Sequence, residues 1–321
     1  MSDATHAATP LRTAVIGVGY LGRFHAQKYA QLAGSKLVGV VDANSDARTK
    51  VAAELSAQAF GDYRDLFGKV DAVSLAVPTP MHHAIGCELL RNGIDVLIEK
   101  PIATTVSEAR ELVDLAQKHG RVLQVGHLER FNPAVLAAAE RLRTPRFVES
   151  HRLAPFKQRG TDVSVVLDLM IHDIDLIQEL VGTPIESIDA VGATVFSGEI
   201  DIVNARLRFK GGCVANTTAS RISLKQERKI RIFQDDAYLS VDMQQKILTV
   251  IRKKDQAPVE SPAQVSIEEE SFDQGDALLA EIEAFLKAVR ERSTPVVTGE
   301  DGLRALETAM KITALVQKSA G

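Results

Sequence analysis

A short β-branched run, Thr13–Ile16, leads straight into Gly17-Val18-Gly19-Tyr20-Leu21-Gly22, and this junction limits the fold more than any other feature of the chain. The three glycines serve separate ends: a tight turn, close approach of a pyrophosphate to the backbone, and close packing of the following helix on the strand. That helix carries Leu21, Phe24 and Leu32 on one face. Its first N–H groups and positive dipole end offer an anion site. Asp42 closes the next apolar run, 20 residues after Gly22. A carboxylate there accepts both ribose hydroxyls of a dinucleotide and repels the extra phosphate of NADP. The expected cofactor is therefore NAD, held by Gly17, Gly19, Tyr20, Leu21, Gly22 and Asp42.

The same rhythm continues to about Gly126. Leu37–Val41, Ala72–Val77, Asp95–Ile98 and Val122–Val125 are almost continuously apolar, as strands buried on both faces should be. Helical stretches lie between them. Thr105-Val106-Ser107-Glu108 reads as a capping box ahead of Leu112, Leu115 and Ala116, with Gly120 as the stop. Such alternation predicts an α/β fold, with a doubly wound parallel Rossmann sheet over residues 1–125. Past that point the pattern changes. A helix is expected near Pro133 and another over Val165–Val181, followed by strands at Ser187–Phe196, Asp201–Phe209, Cys213–Ala219, Lys229–Gln234 and Ile247–Lys253. Gly211-Gly212 marks a hairpin between two of them. Residues 126–321 thus read as an α+β domain with an open, mainly antiparallel sheet, closed by helices over 276–291 and 300–318. A chain of 321 residues suits two domains of this size.

Three further segments make the chain resemble the glucose–fructose oxidoreductase/inositol dehydrogenase/MocA family. They are Pro78-Thr79-Pro80-Met81-His82, Glu99-Lys100-Pro101 at a strand end, and Asp168-Leu169-Met170-Ile171-His172-Asp173-Ile174-Asp175. The resemblance extends to the closing Thr298-Gly299-Glu300-Asp301-Gly302. It implies an NAD(P)-dependent enzyme acting on a sugar or polyol, with Pro78, His82, Glu99 and Lys100 beside the cofactor. It also implies a homo-oligomer, a dimer or tetramer, built through the second-domain sheet. Met170 stands where the family generally has glycine, a change expected to narrow the substrate pocket.

Oxidising an alcohol requires a base for the hydroxyl proton. Asp168 and His172, four apart on one predicted helix, lie on one face, so the carboxylate can orient the imidazole. Lys100 falls at the carboxyl end of a strand, the edge where open α/β sheets bind ligands. The ordinary lysine pKa of about 10.4 makes it a poor base unless the site lowers it. His172 is therefore read as the base, Asp168 as its orienting partner, and Lys100 as the group that binds and polarises the hydroxyl. The reversed assignment, Lys100 as base, stays open.

The net charge of −4 gives no bulk attraction to nucleic acid. Against it, six basic residues lie between Arg141 and Gly160 (Arg141, Arg143, Arg146, Arg152, Lys157 and Arg159), with one acid, Glu149. Guanidinium forks suit a pyrophosphate, so Arg152, Lys157 and Arg159 are candidates for a nucleotide-sugar substrate. His127 and Arg130 enter the second domain and are further substrate-contact candidates. Within the family, Val125–Pro133 and Thr161-Asp162-Val163-Ser164 resemble members that oxidise UDP-N-acetylglucosamine at C3 in lipid A synthesis, ahead of an aminotransferase. A free polyol or aldose is the alternative substrate, and a non-enzymatic NAD-binding sensor a more distant one. No metal is expected, because Cys87 and Cys213 match no ligand spacing and nothing accompanies His82-His83. Met1–Pro10 lacks a leader's basic and apolar segments, and no apolar run nears the roughly 20 residues of a membrane span, so the cytoplasm is expected.

Overall fold

The computed structural model describes residues 9–157, 163–255, 261–272 and 274–319. They form two compact units. Unit 1 comprises the residues up to His127 together with Leu278–Leu303; unit 2 comprises Leu128–Ala277 and the residues from Arg304 onward.

In unit 1, β1 (Leu11–Ile16), α1 (Tyr20–Gln31), β2 (Ser35–Val41), α2 (Ser45–Leu55), β3 (Gln58–Phe60), β4 (Ala72–Leu75), α3 (His82–Arg91), β5 (Asp95–Glu99), α4 (Val106–Lys118) and β6 (Leu123–Gly126) alternate as expected. All strand pairs are parallel, in the order β3-β2-β1-β4-β5-β6. The winding reverses between β1 and β4, and ligands of such sheets sit at the carboxyl ends beside that reversal. The capping box forms in full: Thr105 Oγ1 accepts from Glu108 N, and Glu108 Oε2 accepts from Thr105 N. The buried face of α1 differs from the one expected. Gly22, His25, Ala26 and Tyr29 turn inward, while Leu21 and Phe24 are 45% and 39% exposed.

Unit 2 begins with α5 (Pro133–Arg141) and β7 (Pro145–Leu153). A π-helical turn, Val166–Met170, then leads into α6 (Ile171–Val181). β8 (Ile185–Ala193), β9 (Ile202–Phe209), β10 (Val214–Ser220), β11 (Glu227–Gln234), β12 (Ala237–Asp242), β13 (Ile247–Lys253) and β14 (Val265–Ser271) follow. The sheet runs β14-β13-β12-β11-β7-β10-β9-β8, antiparallel except that β7 and β10 are parallel. Strand β7 was hidden by its own composition. Of its inward positions Val148, Ser150 and Arg152, two are polar, so the segment reads as a basic run rather than a strand.

Of the last two helices, α8 (Gly299–Ser319) packs Ala305, Ala309, Ile312 and Val316 into unit 2, whereas α7 (Ala277–Glu291) departs from the expected division at 125/126. The expected second domain included α7. In the structure Ile282, Phe285, Leu286 and Val289 of α7 pack with Val15, Ala26, Tyr29, Val40 and Leu97 in the core of unit 1. The apolar stripe of the helix fits either domain in the sequence; only the folded sheet shows which one takes it.

Candidate active site

The glycine turn is built as its sequence requires. Gly17 has a φ of +85°, and a Cβ there would lie 2.7 Å from the carbonyl oxygen of Ala76, just past β4. A Cβ on Gly22 would stand 1.8 Å from the Gly17 oxygen. Both glycines are thus fixed by close backbone approach at the sheet's reversal point. Gly19, the N-cap of α1, is different: a Cβ there would meet nothing within 4 Å, and no side chain caps the helix. This leaves an open approach to the first N–H groups of α1, the place where a pyrophosphate binds. Tyr20 and Leu21 stand exposed on that first turn. Asp42 ties the turn to β2: its Oδ2 accepts from Val18 N at 2.8 Å and its Oδ1 from Asn44 N at 2.8 Å. These residues fit a dinucleotide.

Glu99, Lys100 and Pro101 lie where β5 ends, and the Lys100–Pro101 peptide is cis. His82 is buried beside them. Its Nδ1 stands 3.0 Å from the Pro101 oxygen and its Nε2 2.8 Å from the Val77 oxygen. Burial lowers its pKa, against the pull of those carbonyls. His82 therefore braces the chain after β4 against the chain after β5, while Pro78 stays exposed. His83 corrects one expectation. With Cys87 and Glu111 it offers three ligand-type atoms within 4.8 Å of one another, although Glu111 is already engaged by His83 at 2.8 Å and Arg91 at 3.0 Å.

In unit 2, Asp168 sits in the π-helical turn and His172 in the first turn of α6, both half-buried. The regular four-residue face assumed for them is thereby altered, since a π turn is wider than an α turn. Such turns recur at functional sites. Met170 is fully buried in the core of unit 2, so it fills the interior rather than narrowing an open pocket.

The arginines of the basic run fare differently from the expectation. Arg152 is buried on β7; its Nε donates to Asp173 at 2.6 Å and its Nη1 to Glu129 at 3.0 Å. Burial opposes its charge, yet Asp173 and Glu129 outweigh that and hold it protonated. Arg130 forms a fork on Asp175, at 2.7 and 2.9 Å, and reaches Glu179 at 2.9 Å. Arg152, expected at a substrate pyrophosphate, and Arg130, expected as a substrate contact, are thus both engaged by carboxylates within unit 2. Of the other candidates, Lys157 is exposed and His127 is buried at the end of unit 1. Arg159, Thr161 and Asp162 lie outside the described residues.

Comparison with known proteins settles the class. The sequence model for "Oxidoreductase family, NAD-binding Rossmann fold" matches residues 11–127, and that for "Oxidoreductase family, C-terminal alpha/beta domain" matches residues 143–320. The chain belongs to the Gfo/Idh/MocA oxidoreductase family. It is 39% identical to UDP-N-acetylglucosamine 3-dehydrogenase of Acidithiobacillus ferrooxidans, over 96% of this chain and 97% of the relative. A solved structure of that enzyme superposes with a TM-score of 0.91, covering 97% of this chain and 98% of that one. The scyllo-inositol 2-dehydrogenase (NAD(+)) of Bacillus subtilis is 25% identical, over 94% of this chain and 93% of the relative. The fold is shared with scyllo-inositol dehydrogenase from Lactobacillus casei, solved with NAD(H) and scyllo-inositol bound, at a TM-score of 0.81 and 20% identity over 97% of this chain and 98% of that one. This family member is thus an NAD-binding oxidoreductase. Among the described residues, no helix is long and apolar enough to cross a membrane.

Proposed function

We propose that this oxidoreductase is a cytoplasmic enzyme that oxidises UDP-N-acetylglucosamine at C3, giving the 3-keto sugar for a partner aminotransferase in lipid A synthesis. The observation that carries the reading is the 39% identity, spread over both units and nearly all of each chain. Bound NAD supplies the two-electron oxidising chemistry. The protein's share is to bind the sugar, hold the reacting hydroxyl and take its proton. Lys100 polarises that hydroxyl, which facilitates loss of the proton. A ring nitrogen of His172 accepts it, and Asp168 stabilises the resulting imidazolium. Contacts to the pyrophosphate fall to Lys157 and Arg159, because Arg152 and Arg130 are committed to carboxylates. The outer face of the unit 2 sheet, with Arg231 on Glu149 and Arg206 on Asn216, is the proposed surface for self-association.

NADH formation with UDP-N-acetylglucosamine, coupled to an aminotransferase that draws off the ketone, tests the substrate. Inositol and glucose are expected to give little NADH; the reverse order would make the enzyme a free-polyol dehydrogenase. His172→Ala and Lys100→Ala are each expected to lower kcat by about 10²–10⁴-fold. NAD affinity of His172→Ala, read by fluorescence titration, should remain near that of the wild type.

A further inference from the structure

Behind the Glu99-Lys100 strand end, unit 1 buries a polar cluster that the reaction above does not use. His25 Nδ1 lies 3.0 Å from Ser74 Oγ, which lies 2.9 Å from Tyr29 Oη. On its other side, His25 Nε2 lies 3.0 Å from Glu99 Oε1. One direction of donation satisfies the chain: Tyr29 to Ser74, Ser74 to Nδ1, and Nε2–H to Glu99. Glu281 of α7 completes the cluster. Ligand-type atoms of His25, Glu99 and Glu281 all lie within 4.8 Å of one another. Glu281 is fully buried, and among the described residues neither of its carboxyl oxygens has a hydrogen-bond partner. Gln124 donates from Nε2 to the Glu281 backbone oxygen at 3.1 Å, yet its own Oε1 is also buried without a partner. Every unsatisfied atom here is an acceptor. The neighbourhood is short of a donor, and a carboxyl proton is one.

Two carboxylates this close, Glu281 fully buried and Glu99 largely so, cannot both ionise without a large penalty. Glu99 is the one equipped to stay charged. It accepts from His25 and from the Lys100 N–H at 3.3 Å. Burial alone would raise its pKa, but His25 and then Lys100 hold it below the usual carboxylate range. For Glu281, burial and then the Glu99 charge push the pKa well above that range. A divalent cation at the same place would face the charge of Lys100, which argues for a proton instead.

We propose that Glu281 is a neutral carboxylic acid in the folded enzyme, and that it acts as a positioning residue for Lys100 by keeping a single negative charge on Glu99. The positioning part rests on the assignment of Lys100 made under Proposed function; the protonation does not. The titratable and polar groups of this cluster around Glu281 are His25 and Tyr29 from α1, Glu99 from β5 and Gln124 from β6, with Ser74 of β4 behind His25 and Lys100, just past β5, beside Glu99.

A carboxyl whose pKa is raised on folding binds its proton more tightly in the folded state, so ionisation weakens folding as pH climbs from about 4.3 to the folded value. Glu281→Gln keeps the shape and has no proton to lose. It should therefore be more stable than the wild type, with the ratio of folding constants widening up to about tenfold per pH unit across that window. Infrared spectroscopy at neutral pH should show a protonated carboxyl band in the wild type and in Lys100→Ala, and no such band in Glu281→Gln. The alkaline limb of the kcat profile should move to higher pH in Glu281→Gln, with KM for NAD unchanged. No carboxyl band, a stability gap that ignores pH, or a stoichiometric metal lost in Glu281→Gln would each overturn the protonation. An unmoved kcat profile would overturn the positioning role alone. If Lys100→Ala stays fully active but the band is present, the dehydrogenase assignment fails and the neutral Glu281 stands.

Discussion

Around Glu99 in unit 1, buried side chains carry more acceptors than donors, whereas Arg152 and Arg130 in unit 2 are each paired directly with carboxylates. Both solutions put polar groups inside a core, but they fail in opposite ways. A cluster short of one donor is relieved by a proton and suffers as pH rises. An ion-paired cluster keeps its strength only while every partner is present and the carboxylates are ionised. The unit with the proton-dependent cluster holds the cofactor turn, and the ion-paired unit holds His172.

The sharpest way to break the comparison is to remove one member of the ion-paired set. Arg152→Met should cost about 3–5 kcal/mol, because Asp173 and Glu129 are left as uncompensated charges in the interior. Chemical denaturation reads the loss, and amide exchange should place it on β7 and α6. Adding Asp173→Asn and Glu129→Gln to Arg152→Met should recover most of it. A single variant with wild-type stability but a raised KM for a nucleotide sugar would return Arg152 to the substrate site.

Acid sharpens the same contrast. Asp201, fully buried before β9, accepts from the backbone N–H groups of Val195, Phe196 and Ser197 and from the Ser197 hydroxyl. Burial works against its charge, but these donors outweigh it and hold the pKa below the ordinary value. Its contribution is therefore complete above the unfolded value of about 3.9 and is withdrawn as pH falls toward the folded one. Asp201→Asn should cost about 1.5–3 kcal/mol near neutral pH, the scale of a hydrogen bond to a charged group. The deficit should shrink below about pH 4. Glu281→Gln shows the opposite trend, its gain growing with pH, so two denaturation series across pH should slope in opposite directions.

Local rules account for what the sequence made legible. The glycine turn, the capping box and the Gly211-Gly212 hairpin each rest on residues within a few positions of one another, and Asp42 on a fixed spacing from the glycines; each appears in the structure. The six-strand order follows once the alternation is read, although β3 is only three residues long and has no period to detect. Strand β14 escaped for another reason: Glu268, Glu269 and Glu270 mask an edge strand whose apolar groups are a half-buried Val265 and an exposed Ile267. The site was less legible because its partners are distant in sequence. Nothing near Arg130 announces Asp175, and nothing near Glu99 announces Glu281, which α7 delivers from beyond the second domain. The π turn at Asp168 is set by packing, which no four-residue spacing reveals.

The smallest expected effect separates buried from exposed polar structure. Thr105 and Glu108 cap α4 just past the Lys100–Pro101 strand end, and Glu108 Oε2 also accepts from Thr104 N at 3.1 Å. Thr104 and Thr105 are exposed and Glu108 is half-buried, so water competes for each of them and no buried charge is left behind when the threonine is removed. Thr105→Ala should therefore cost about 1 kcal/mol, the usual worth of an N-cap. Thr105→Ser, which keeps the hydroxyl, should cost a fraction of that. The loss should stay constant between about pH 6 and 9, because the threonine hydroxyl holds no titrating proton. Amide exchange in the first turn of α4 is the measurement. A Thr105→Ala deficit that grows with pH would mean that the cap is coupled to the buried proton of unit 1, and the division between a titrating interior and a pH-indifferent surface would have to be given up.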